Sequence, residues 1–303
     1  MAGPEEKSAE VSLPPGLRAV TAGNASPMTG PGTTTYVLGK GSVAVIDPGP
    51  DDPRHLRAIL AALAPGESVA AILVTHPHLD HSALAPQLRQ ATGAQVLGFG
   101  PPGSGHSPLM RRLAKAGLTG GGEGVDPGFA PDRCLSEGET VDGPGWSLRV
   151  LHTPGHMAEH LCFAWGRMLF TGDLVMGWAP SLVSPPDGDM GAYLASLSRI
   201  AQQDWQMLLP THGPPVTDPA RRIAELTAHR KGREAQVLKA LDRGATTLPE
   251  IVAVVYHDLS PALQPAAARN ALAHLIDLAE RNLVVAEPAP LPAARFRPRR
   301  PAP

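Results

Sequence analysis

Between about residues 17 and 210, short apolar runs alternate with longer amphipathic stretches. The runs at 17–20, 33–38, 43–46, 69–74, 95–97, 147–151, 161–165, 167–170 and 207–209 have the length and the Val, Leu and Ile content of buried strands. Gly39-Lys40-Gly41 reads as a hairpin turn between two of them. Helices are predicted at about 52–63, where Pro53 follows Asp51-Asp52, at 82–92 and at 190–202. Strands alternating with helices predict a layered α/β domain whose functional side chains sit at strand ends. Residues 99–133 are rich in Gly and Pro, with one helical patch near 109–116, and predict an irregular excursion close to those strand ends.

After Pro219 the period changes. A long helix over 218–241 is followed by helices at 246–257 and 264–281 and a short strand at 283–286. Three helices and a strand have the outline of a winged-helix unit with a reduced wing. The pattern therefore divides the chain into a loose tail at 1–15, a main domain at 16–217, a helical unit at 218–287 and a disordered Pro- and Arg-rich tail at 288–303.

Composition sharpens this only in places. With 43% hydrophobic and 18% charged residues among 303, the chain can bury a substantial core. A formal net charge of −2 gives no global attraction to nucleic acid or to an anionic membrane. Cys134 and Cys162 are the two cysteines, which excludes a disulfide framework and a Cys-rich metal site and suits a reducing cytoplasm. The first sixteen residues read as neither a signal nor a transit peptide, and no apolar run approaches a membrane span.

The chemistry concentrates just past the strands. Thr75-His76-Pro77-His78-Leu79-Asp80-His81 directly follows the run at 69–74. Neutral imidazoles and a carboxylate form a ligand set that suits zinc, and the i, i+2 spacing of His76 and His78 sends both to one face of an extended segment. His152-Thr153-Pro154-Gly155-His156, Thr171-Gly172-Asp173 and Thr211-His212-Gly213 occupy the same position after later strands.

This order of motifs resembles the metallo-β-lactamase superfamily across about residues 16–217. The segment from His229 to Gln236 and the winged-helix-like unit look like its beta-lactamase-like protein 2 group. The resemblance implies an αββα sandwich holding two zinc ions, one on His76, His78 and His156, the other on Asp80, His81 and His212, with Asp173 bridging. Such a pair would lower the pKa of water from roughly 15.7 toward about 7 and hold a bridging hydroxide for attack on a carbonyl or a phosphorus. Thr211 stands where many relatives have Gly. The subgroup points to single-stranded RNA as substrate; the alternative is a thioester or ester of a small acyl group, as in glyoxalase II-like relatives.

Other residues carry narrower expectations. Asp80 and His160 are the candidate catalytic groups, His160 either protonating a leaving group or holding a ligand in place. Asp47 is expected to hydrogen-bond a ligand histidine, His152 to be a hydrogen-bonded structural residue, and Cys162 to lie in the core. His55, His257 and His274 are expected at the surface. Arg230 and Glu234 are expected to pair at i, i+4 on a solvated or interdomain face. Arg111, Arg112 and Lys115 are the cations available to an RNA strand, and Leu174, Val175, Met176, Trp178, Leu182 and Val183 could line an apolar groove. The helix at 264–281 mixes Arg269, His274 and Arg281 with Asp277 and Glu280, so sequence-specific DNA binding is not expected.

Overall fold

The computed structural model describes residues 12–120 and 124–299. A first sheet is built from β1 (Leu17–Thr21), β2 (Thr34–Lys40), β3 (Ser42–Ile46), β4 (Ser68–Leu73), β5 (Gln95–Gly98) and β6 (Arg133–Cys134), adjacent in that order. Its first three strands are antiparallel and the rest are added in parallel. The parallel crossovers are made by α1 (Pro53–Ala61) and, past β4, by α2 (Leu79–Ser82) and α3 (Ala85–Thr92). The single helix expected at 82–92 is split, with Ala83 closing α2 and Pro86 in the first turn of α3, where a missing N–H is harmless. A further helix, α4 (Pro108–Lys115), leaves the sheet altogether.

The second sheet contains β7 (Thr140–Gly143), β8 (Trp146–His152), β9 (Leu161–Trp165), β10 (Met168–Gly172) and β11 (Met207–Pro210). All its neighbours are antiparallel except β10 and β11, which α5 (Met190–Ile200) connects. The inner faces of the two sheets meet through Leu38, Ile46, Leu73, Leu148, Val150, Phe163, Phe170 and Leu209. Their outer faces are covered on one side by Ile59 and Leu88 and on the other by Tyr193, Leu197, Ile223 and Leu226. This is the expected αββα sandwich, with strand residues near-continuously apolar because both faces are buried.

The long helix α6 (Pro219–Asp242) starts at Asp218, whose carboxylate accepts from the Arg221 N–H. Its first half packs on the sandwich and its second half joins a separate core with α7 (Leu248–Val255) and α8 (Gln264–Glu280). Met110 and Leu113 of α4 belong to that second core, so the excursion at 99–133 braces the helical unit.

The tail expected to be disordered from 288 onward is ordered as far as it is described. Here β12 (Val284–Glu287) pairs antiparallel with β13 (Arg295–Pro298), and Phe296 is buried in the helical core. The wing is a full hairpin, fixed by one aromatic anchor between two exposed arginines. Residues 1–11 and 300–303 of the expected tails lie outside the described residues. Among the described residues no helix is long and apolar enough to cross a membrane.

Candidate metal centre

All four motifs reach one edge of the sandwich. Backbone geometry makes this possible at two points. Gly172 has φ of 47°, and a Cβ there would lie 2.7 Å from the His160 Nε2 and 2.8 Å from the Thr75 Oγ1. Gly155 has φ of 152°, and its Cβ would fall 2.3 Å from the Tyr193 Cα. Only glycine lets the chain turn Asp173 and His156 inward at these approaches.

Three overlapping groups of ligand atoms result: His76, His78 and His156; His76, His81 and Asp173; Asp80, His81 and His212. The His78 Nδ1 lies 3.0 Å from the His76 Nε2 and 3.1 Å from the His156 Nε2. The His212 Nε2 lies 3.1 Å from the Asp80 carboxylate. Asp173 spans the two halves. Its Oδ1 is 3.6 Å from His81 and 3.5 Å from His212, while its Oδ2 is 3.6 Å from His156.

Hydrogen bonds on the far side of the rings decide which nitrogen faces inward. Thr75 Oγ1 donates to Asp47, so it accepts from the His76 Nδ1 at 3.0 Å. His81 Nδ1 donates to Asp47 at 3.0 Å, His156 Nδ1 to the Leu182 carbonyl at 2.6 Å, and His212 Nδ1 to the Gly32 carbonyl at 3.2 Å. The Nε2 lone pairs of these four rings therefore point at the cluster.

Charge follows the same division. Burial pushes His76 well below the usual histidine range and, with help from His156, pushes His78 down to about 3, so both stay neutral. Burial alone would raise Asp80, but His81 and the bond from His212 outweigh it and hold the carboxyl at about 2. Asp173 is depressed against its burial by His212 and His81. In turn His81 and His212 are lifted against burial, His81 chiefly by Asp80 and Asp173, His212 chiefly by Asp173. That half of the cluster attracts positive charge.

The donor set fits divalent metal ions. The His81 Nε2 and the Asp173 Oδ1 are buried polar atoms that make no hydrogen bond. The His76 Nε2 and the His156 Nε2 both turn lone pairs toward the His78 Nδ1 at about 3 Å, where a single N–H could satisfy only one of them, whereas a shared cation satisfies all three nitrogens.

Asp47 is the residue whose importance the sequence understated. Fully buried, it accepts from the Thr75 N–H and hydroxyl, from His81 and from the Thr211 hydroxyl. The Thr211 departure thus has a partner. His160 is fully buried; its Nε2 accepts from the Asp173 N–H at 3.2 Å and its Nδ1 meets the Thr153 hydroxyl at 2.9 Å. It stands behind Asp173 and is absent from the cavity lining. His152 bonds to the Ala158 carbonyl and Cys162 lies in the core, both as expected.

Other expectations are overturned. His55 and His274 are buried, His55 bonding to Thr35, because helices that look amphipathic alone are covered by neighbours distant in sequence. His257 is exposed. Arg230 does not pair with Glu234: it is 2% exposed and donates to Asn270 and the Ser181 carbonyl, while Glu234 pairs with Arg281 at 2.6 Å. Arg111, Arg112 and Lys115 lie on α4, outside the cavity at the cluster.

That cavity, about 620 Å³, opens between the sandwich and the helical unit. His78, Asp80, His156, Asp173 and His212 form its floor. Met28, Met176, Trp178, Leu182, Leu259 and Leu263 supply most of the apolar wall. Of the groove residues expected from sequence, Met176, Trp178 and Leu182 line it, whereas Leu174, Val175 and Val183 are core. Arg230, Arg233, Tyr256 and Asn270 also line it, and sequence reading had assigned none of them to the site.

Comparison with known proteins identifies the family to which a sandwich with this ligand order belongs. Residues 28–212 match the family model for the metallo-beta-lactamase superfamily, and residues 247–289 match the beta-lactamase associated winged helix domain. The chain belongs to the metallo-beta-lactamase superfamily and carries that winged-helix extension. It is 31% identical to the beta-lactamase-like protein 2 homolog of Drosophila melanogaster, covering 84% of this chain and 85% of that one. It is 30% identical to the atrochrysone carboxyl ACP thioesterase of Aspergillus chevalieri, covering 80% and 74%. Among solved structures, a beta-lactamase domain protein from Burkholderia ambifaria superposes with a TM-score of 0.78 at 25% identity, covering 95% of this chain and 93% of that one.

Proposed function

We propose that this chain hydrolyses thioesters or esters of small apolar acyl conjugates, using two zinc ions held by His76, His78 and His156 and by Asp80, His81 and His212, with Asp173 between them. The observation that carries the substrate class is the cavity wall. Met28, Met176, Trp178, Leu182, Leu259 and Leu263 stand over the ligand cluster, so an acyl chain could bury its apolar surface with its carbonyl at the floor. Similarity to the carboxyl ACP thioesterase supports the same reading.

The metals, when bound, would supply Lewis acidity toward the scissile carbonyl and a hydroxide at neutral pH. The chain's own residues fix the ligands. Asp47, Thr75, Gly32 and Leu182 hold the imidazoles in one tautomer and orientation, and His160 holds the Asp173 backbone. With both nitrogens engaged and no place on the cavity wall, His160 acts by positioning; Asp80 lines the cavity floor beside Asp173, where its carboxylate can meet a substrate.

Single-stranded RNA, to which the subgroup resemblance points, calls for cations spaced along a groove with aromatic faces between them. Arg230 and Arg233 are the only arginines on the wall among the described residues, and no lysine joins them. Purified metal-loaded protein assayed against alkyl thioesters, matched oxygen esters and RNA oligomers decides the matter. Turnover of thioesters that rises with acyl length is expected; cleavage of RNA with every ester and thioester left intact would overturn the proposal.

A further inference from the structure

The winged-helix wall carries a feature that apolar acyl binding leaves unused. Arg230 is an obligate cation at 2% exposure, and no carboxylate among the described residues lies within ion-pair distance. Its guanidinium donates to two neutral oxygens, the Asn270 Oδ1 at 3.1 Å and the Ser181 carbonyl, and its Nε is buried without a partner. Asn270 has no charge to return, and its Oδ1 also accepts from the Val183 N–H.

One turn along α6, Arg233 repeats the arrangement. It donates to the Gln236 side chain and the Val255 carbonyl, and its guanidinium carbon sits 4.6 Å from the centre of the Tyr256 ring. The neighbouring acid that could have neutralised either, Glu234, is committed to Arg281. His229, also on the wall, is pushed down to about 4 by partial desolvation and then by Arg230, Arg233 and Arg222. Two guanidiniums without counter-ions thus face one cavity, Arg230 over the Tyr193 ring at 5.1 Å and Arg233 over Tyr256, and neutral acceptors and ring faces leave each cation short of the full counter-charge that an anion would bring.

We propose that Arg230 and Arg233 form an oxyanion-binding subsite in the cavity, so that the substrate is an acyl conjugate carrying a carboxylate or a phosphate away from the scissile bond. This rests on the thioester reading for the identity of the bond cleaved. The anion has two possible carriers, a carboxylate on the acyl group or a phosphate on the thiol half. Both are recognised by the planar guanidinium fork.

Thioether analogues, which cannot be hydrolysed, separate subsite from chemistry. Three share one acyl-like chain: a neutral one, one with a terminal carboxylate on the chain, and one with a phosphate on the thiol half. Calorimetry on the metal-loaded full chain should show at least one anionic analogue binding about 10- to 100-fold tighter than the neutral one, the span of a charge-assisted hydrogen bond. Which analogue gains identifies the carrier. Arg233→Met, which leaves the buried bonds of Arg230 in place, and Arg230→Met should each bring that ratio toward one. If Arg230→Met fails to fold, Arg233→Met still decides. Equal binding of all three analogues by the wild-type protein overturns the subsite. So does a preference left undiminished in Arg233→Met, because the subsite requires both guanidiniums. Parallel assays on the hydrolysable thioesters report on the reaction itself: charge-selective binding without thioester turnover would sink the thioester reading and leave the subsite standing.

Discussion

On the sandwich side of the cavity, His76, His81, His156 and His212 each have the nitrogen remote from the cluster engaged by a neighbour. On the winged-helix side, Arg230 and Arg233 are anchored by neutral oxygens and by the ring faces of Tyr193 and Tyr256, with no carboxylate beside either. One wall has the outer hydrogen bonds of these four imidazoles completed within the protein, leaving donor atoms turned to its centre. The other, on the subsite proposed above, is completed by an anion. On the reading proposed above, the sandwich orients the ligands and shares the apolar wall through Met28, Met176, Trp178 and Leu182, while the helical unit adds Leu259, Leu263 and the two guanidiniums.

The division can be broken first at its strongest point. Asp173→Ala should lower turnover by more than the roughly 10- to 100-fold typical of outer partners and reduce metal content, because one carboxylate faces both ligand groups. Elemental analysis alongside kinetics checks this, and full metal content with normal turnover would remove Asp173 from the centre. Asp47→Asn, which keeps the shape and suits the φ of 50° found there, should weaken metal affinity about 10- to 100-fold. A competition titration with a chelator measures the change; an unaltered affinity would show that the outer bonds do not orient His81.

His160→Gln tests whether that residue positions or protonates. Behind Asp173, its loss should cost roughly tenfold, equally on substrates with good and poor leaving groups, together with weaker metal binding. A loss confined to poor leaving groups would restore the proton-donor role. The smallest effect belongs to the other wall. Leu263→Ala should raise KM for long-chain acyl substrates by roughly three- to tenfold while metal content holds, since it removes apolar contact far from the ligands. A fall in metal content there would mean that the two walls are not separable.

The same contrast explains what could be read from the chain alone. The ligand wall was legible because its residues sit in short local motifs, each just past a strand, and local spacing survives folding. Asp47 was legible in kind, as a carboxylate ending a strand, but its four bonds come from segments as far away as Thr211. The winged-helix wall was misread because the pair Arg230 and Glu234 has ideal helical spacing, and only tertiary packing sends one to Ser181 and the other to Arg281. The tail past Pro288 was misread for a related reason. Its Pro and Arg content suggests disorder, and the residues that order it, Phe296 with Ala294 and Leu291, belong to a core built from helices distant in sequence.

Asp47 lies just past β3, Thr75 just past β4, and Thr211 follows β11, so the first two extend strands of one sheet and the third a strand of the other. A single carboxylate therefore works as a dovetail between the halves of the sandwich at the edge from which the ligands project. Any shear of one sheet past the other would have to break that joint before it could move His212 relative to His76. The ion-binding geometry is gauged against the spacing of the two sheets, and strain imposed on the inter-sheet core, at Ile46 or Phe170 for instance, would be felt at the centre as a change in ligand separation.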